Sequence, residues 1–181
     1  YVTAQAAAAT GLAEGTPVAG GYFDIDAGAL ASGVLDDSVL CLIAGTWSIN
    51  EYLKKNVNTH YEKNANTVQN SFLQGYFLVE DSSPTSASNF DWVVEKCREP
   101  GRPGGPRKHL YQECDTLVEK TDPFDNDIIF VPYLFSSATN PDAKGAFLNL
   151  TSYHDRNHIL QAVYEGVVFS TMFHVKSLQR P

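Results

Sequence analysis

Residues 39–44 (VLCLIA) form an unbroken apolar run. The chain then turns on Gly45, Thr46, Trp47 and Ser48 and returns through Ile49, Tyr52 and Leu53. An apolar run, a Gly-Thr turn and an amphipathic return predict a β-hairpin. Phe72, Tyr76 and Leu78 (SFLQGYFLVE) predict a third strand, with Gly75 at a bulge or close approach. Asp81, two serines, Pro84 and Thr85 signal entry to a helix over 85–97, with Phe90, Val93, Val94 and Cys97 on one face. A short helix is expected over 110–119, a strand over 127–134 (DIIFVPYL) and a short extended piece over 145–150. The strongest helical pattern spans 152–179. There Ile159, Leu160, Val163, Tyr164, Val167, Val168, Thr171, Met172, Val175 and Leu178 recur at helical spacing and read as core. Gly166 costs that helix stability, which points to close packing.

Upstream, residues 2–9 are alanine-rich, with Thr3 as an N-cap and Gly11 as a stop. Residues 18–24 (VAGGYFD) read as a short buried strand ending at Asp24. Residues 24–35 read as a small-residue helix that lets another backbone approach, with Asp24 or Asp26 at its cap. The segments 54–69 and 98–108 lack a period and read as loops. A phosphate loop is a poor reading of 98–108, because no strand-to-helix context supports it. Three consecutive antiparallel strands, a helix crossover to a parallel strand and a closing helix make a ribonuclease-H-like order. The same order forms the core of an actin-like ATPase domain. The fold class expected is therefore α/β, with a mixed sheet and flanking helices.

Composition adjusts this picture modestly. The chain has 181 residues, 43% of them hydrophobic, enough for a sizeable core. A formal net charge of −8 argues against a general nucleic-acid binder but leaves room for a local anion nest. Three unpatterned cysteines (Cys41, Cys97 and Cys114) do not make a disulfide framework, and a reducing cytoplasm is the simplest compartment. No apolar run is long enough to span a membrane. The chain opens at Tyr1 inside a predicted helix, so a fragment is expected. His154 and His158 lie four apart but lack a companion glutamate, and they read as surface histidines rather than metal ligands.

Two features carry candidate chemistry. One is an aspartate beside paired glycines, Gly20 and Gly21. The other is the Gly-Thr tip about 20 residues later, where a phosphate site could face a general base. Taken alone, Asp24 reads as a helix cap and the tip as an ordinary turn. The glycines at 20 and 21 also suggest a dinucleotide fold, but they fail the G-x-G-x-x-G spacing.

Together, six stretches resemble the FGGY carbohydrate kinases: PVAGGYFDIDAGALASG, CLIAGTWSINEY, the helix entry over residues 80–92, IIFVPYL, NPDAKGAFLNLT and AVYEGVVFS. The Gly-Thr-Trp-Ser tip and the Ile-Asn-Glu-Tyr after it look most like the L-xylulose / 3-keto-L-gulonate kinase branch. The resemblance implies an ATP- and Mg²⁺-dependent kinase for a sugar hydroxyl, with two actin-like domains around a cleft. It places residues 1–17 at the end of the N-terminal domain or in an interdomain helix and turn. Residues 18–181 become part of the C-terminal domain. It puts the catalytic, sugar-facing base at Asp24, with Asp26 as fallback, since Tyr22 and Phe23 intervene before the aspartate. It puts phosphate contacts at Gly45 and Thr46, and a nucleotide-side position at Ser136, where glycerol kinase has glycine. The family's first phosphate loop and its late adenosine motif are not in this sequence, so the isolated chain is expected to be inactive. The implied partners are a sugar and ATP, with no nucleic acid or membrane; a homodimer stays open. The rival reading is a non-catalytic actin-like nucleotide-binding or assembly module.

Overall fold

A computed structural model describes residues 1–57, 65–96, 107–122, 124–137 and 140–179. Its centre is a four-stranded antiparallel sheet of β1 (Leu40–Ala44), β2 (Ser48–Lys54), β3 (Thr67–Asn70) and β4 (Phe77–Ser83), ordered β1-β2-β4-β3. The predicted hairpin is β1–β2, with Ala44 opposite Ser48. One more strand is present than the pattern predicts. β3 overlaps the end of the 54–69 segment read as loop and runs one residue past it, and its short TVQN sequence carries little strand signature. It is a short edge strand held by pairing with β4, with Val68 opposite Val79. Short polar edges of this kind resist pairing with other chains.

Strand alternation gives the sheet two unlike faces. Cys41, Leu53 and Leu78 share one face and form a core with Ala29 and Val34. That face is covered by α2 (Asp24–Ala31). Small residues allow the close approach: a Cβ added at Gly28 would lie 3.6 Å from the Ile43 side chain. The opposite face carries Ser48, Asn50, Asp81 and Ser83, all buried, and meets α5 (Arg156–Leu178). There Ser48 Oγ lies 3.4 Å from Thr171 Oγ1, and His174 Nδ1 lies 2.7 Å from Asp81 Oδ2.

The α3 (Ala87–Lys96) and α4 (Arg107–Val118) helices pack against α5. Their interface gathers Val93, Val94, Cys114, Leu160 and Val163. The predicted parallel strand is instead β5 (Ile129–Val131), which pairs antiparallel with β6 (Ala146–Leu148) in a separate two-stranded ladder. That ladder packs on α5 through Gly166, where an added Cβ would lie 2.5 Å from the Phe130 carbonyl oxygen. The glycine therefore serves the close packing its position suggested.

Other boundaries moved for local reasons. Residues 18–23 form no strand; Val18, Tyr22 and Phe23 are exposed, and among the described residues no strand pairs with them. Cys97, expected on the α3 face, lies outside the described residues. So do residues 98–106 of the segment read as a 98–108 loop, and α4 begins at Arg107. The α5 helix starts at an Asp155 cap, whose Oδ1 accepts from the Asn157 and His158 N–H groups while His158 closes a capping box. Its stripe is core only in part: Leu160 and Val163 are buried, whereas Val168 and Met172 are exposed. At the N-terminus, α1 (Ala4–Thr10) is capped by Thr3 and stopped by Gly11 at φ 76°, as the sequence predicts.

Candidate active site

Asp24 is the first residue of α2, not the end of a strand. Nor is it the cap: Phe23 occupies that position without a side-chain hydrogen bond, and Asp24 Oδ1 accepts from the Ile25 N–H at 3.0 Å. Its carboxylate is exposed at the helix N-terminus, where the backbone dipole favours an acidic group. Asp26 lies in the same turn, half-buried toward the sheet, and accepts a long bond from Gln69 Nε2 at 3.4 Å. Burial, and then the Asp24 charge, push the Asp26 carboxyl above the usual range. Of the two, Asp24 is the one presented to solvent.

The Gly45–Thr46 tip is anchored on the opening of α3. The Ala87 N–H donates to the Gly45 carbonyl at 3.1 Å and the Ser88 N–H to the Thr46 carbonyl at 3.3 Å. The first amides of α3, which lack partners in their own helix, are thereby satisfied by the tip. The Gly45 N–H is itself occupied, donating to the Trp47 carbonyl at 3.0 Å. Thr46 is exposed, and its hydroxyl has no hydrogen-bond partner among the described residues. Of the two tip residues, Thr46 therefore has the donor to offer an anion.

Ser136 follows β5 and has φ 70°, a left-handed conformation that costs a non-glycine residue about 1 kcal/mol or more. Its N–H donates to the Tyr133 carbonyl at 3.3 Å. Asn89, fully buried in α3, links this turn to the hairpin side. Its Nδ2 donates to the Pro84 carbonyl at 2.8 Å, and its Oδ1 accepts from the Leu134 N–H at 3.1 Å. One helix opening thus joins the Gly45–Thr46 tip to the segment leading to Ser136. Asp24 makes no hydrogen bond to either; it reaches the same sheet through α2 packing on β1.

Sequence reading missed Asn89, because its two partners are defined only by the fold. It also missed Glu51. That residue is 0% exposed, and burial, then Asp26 and Glu80, push its carboxyl up to about 7. A signal was present, since strand alternation puts Glu51 on the same face as Ile49 and Leu53. The buried His174–Asp81 pair was not legible across its separation in the chain.

Comparison with known proteins gives one answer. Residues 40–181 match the C-terminal domain of the FGGY family of carbohydrate kinases. A protein described as a probable L-xylulose kinase from Haemophilus influenzae is 34% identical over 185 residues, covering 99% of this chain and 35% of its own length. The L-xylulose/3-keto-L-gulonate kinase of Escherichia coli is 33% identical, covering 98% of this chain and 34% of its own length. Among solved structures, a xylulose kinase from Rhodospirillum rubrum superposes with a TM-score of 0.82 at 25% identity, over 98% of this chain and 34% of that one. The chain spans about a third of the length of these relatives. It belongs to the FGGY family of carbohydrate kinases, whose C-terminal domain is matched by residues 40–181.

Proposed function

We propose that this chain is part of an ATP-dependent kinase that phosphorylates a hydroxyl of a ketopentose or a related keto-sugar acid. The observation that carries the reading is similarity to L-xylulose kinases along nearly the whole chain. The anchored tip and the exposed Asp24 support it. Residues 1–17 are assigned to the end of a preceding domain or an interdomain helix and turn, and 18–181 to part of the C-terminal actin-like domain. A cytoplasmic location fits such an enzyme, and among the described residues no helix is long and apolar enough to cross a membrane.

The chemistry is in-line phosphoryl transfer, which depends on positioning and on stabilising charge. Asp24 accepts the proton of the attacking sugar hydroxyl; Asp26, half-buried, is the second candidate. Thr46 offers its hydroxyl to the terminal phosphates of the nucleotide. Gly45 shapes the tip, and its amide holds the turn rather than the phosphate. Ser136 lies on the nucleotide side, tied to the same helix opening by Asn89. Mg²⁺, if it accompanies the nucleotide, would supply neutralisation of phosphate charge during the transfer. Among the described residues, no three His, Cys, Asp or Glu side chains gather as a metal cage.

The test is a coupled ADP-release assay of the full-length protein against a panel of ketoses, keto-sugar acids and polyols. Sugar-dependent ADP release with a ketopentose or keto-sugar acid is expected. ATP binding without turnover on any member would instead favour a non-catalytic nucleotide-binding module.

A further inference from the structure

Glu51 sits in the middle of β2 and is 0% exposed, yet neither carboxyl oxygen has a hydrogen-bond partner among the described residues. Its surroundings are acidic. Glu80 lies directly opposite on β4, 8% exposed, in the antiparallel register that pairs Glu51 with Glu80. Asp26 reaches the same place from α2, with Asp24 one half-turn before it. Cys41 is the register partner on β1 and is also buried. From β3, Thr67 pairs with Glu80, and Gln69 donates to Asp26. Among the described residues, the titratable groups that act on Glu51 or pair with it in register are Asp26, Glu80 and Cys41, with Asp24 acting in turn on Asp26, and none of them is cationic.

An ionised carboxylate enclosed this way, unpaired and opposite another carboxylate, is strongly disfavoured, and the group responds by holding a proton. Burial is the larger cause, with the Asp26 and Glu80 charges adding to it. This proton is coupled to α2 because the Asp26 carboxylate, held over the sheet by its bond from Gln69 on β3, acts on Glu51 electrostatically. Asp24, the proposed base, belongs to the same helical turn.

We propose that Glu51 is a positioning residue that works as a neutral carboxylic acid, keeping the first turn of α2, and Asp24 with it, seated on the sheet. Losing the proton sets three carboxylates against one another between α2 and the sheet, and the turn lifts. Turnover then falls as pH rises through the Glu51 titration, near 7. The role rests on the kinase reading with Asp24 as base, whereas the protonation of Glu51 does not.

The experiment is a kcat–pH profile of the full-length enzyme from pH 6 to 8.5, with Glu51→Gln and Glu80→Gln beside it. In the wild type, kcat is expected to fall about tenfold across the range. Glu51→Gln, which mimics the protonated acid, keeps the ratio of kcat at the two ends within about twofold. Glu80→Gln removes a neighbouring charge and moves the alkaline fall to lower pH. Superimposable wild-type and Glu51→Gln profiles overturn the proposal. A second readout needs no kinase activity: the thermal unfolding midpoint of the full-length wild type relative to Glu51→Gln, followed from pH 4.5 to 8. The folded state holds the Glu51 proton at pH values where the unfolded chain has released it. The wild-type midpoint therefore drops relative to the variant up to about pH 7 and then levels. Parallel midpoints overturn the proposal even if no sugar is phosphorylated, whereas a relative drop without sugar phosphorylation leaves Glu51 protonated and sinks the kinase reading together with the positioning role that rests on it.

Discussion

Asp24 and Asp26 are two residues apart on one helix, yet the fold treats them differently. Asp24 is exposed at the N-terminus of α2; Asp26 is half-buried, accepts from Gln69 on β3 and acts electrostatically on the buried Glu51. A general base must reach the proton it removes. Asp24→Asn in the full-length enzyme is therefore expected to lower kcat by about 10²–10⁴-fold while leaving ATP affinity within a few-fold. Steady-state kinetics with calorimetric ATP titration check this, and near-normal turnover would move the base elsewhere. At the tip the same scale separates Gly45 from Thr46. The Gly45 amide is already spent on Trp47, so of the two the threonine is the one proposed to contact phosphate.

Among the elements, α3 and α5 decide the arrangement. The α3 opening receives the hairpin tip and, through Asn89, the segment leading to Ser136. The α5 helix lies against the polar face of the sheet, where Ser48, Asp81 and Thr85 meet Thr171, His174 and Ser170. Its contact with β5 depends on Gly166. Alanine there gains about 1 kcal/mol of helix propensity. The new Cβ, 2.5 Å from a backbone oxygen that belongs to a paired strand, forces a shift costing about 1–3 kcal/mol or more. The steric cost exceeds the propensity gain, so Gly166→Ala is expected to lower the unfolding midpoint by roughly 2–6 °C. A thermal melt followed by circular dichroism measures it, and an unchanged or raised midpoint would show that β5 moves freely.

At the scale of the whole molecule, the chain covers about a third of its relatives' length. Phosphoryl transfer needs both substrates enclosed and charge-stabilised together. The 181-residue polypeptide alone is therefore expected to release no ADP above background in the presence of sugar. Sugar-dependent ADP release by this chain alone would show that it carries a complete site.

By itself the sequence determined the hairpin, the α3, α4 and α5 helices, the tight packing at Gly166 and the family. These depend on local grammar: an apolar run before a Gly-Thr turn, helical periodicity, and a glycine that weakens a helix without a local reason. It also marked the tip and the aspartates as candidates, because their residue types and order are visible without coordinates. Tertiary structure alone decided the rest. β3 exists because β4 offers it hydrogen bonds, not because TVQN favours a strand. The 18–23 segment fails as a strand because nothing among the described residues pairs with it. β5 left the main sheet for a ladder with β6, since pairing partners are chosen by packing rather than by the strand's own sequence. The same holds for the opening hairpin: its pattern was legible, but only docking on α3 showed which of its amides is spent. Glu51 sits between the two cases. Alternation placed it on an apolar face, but only the fold set it opposite Glu80 and beneath Asp26.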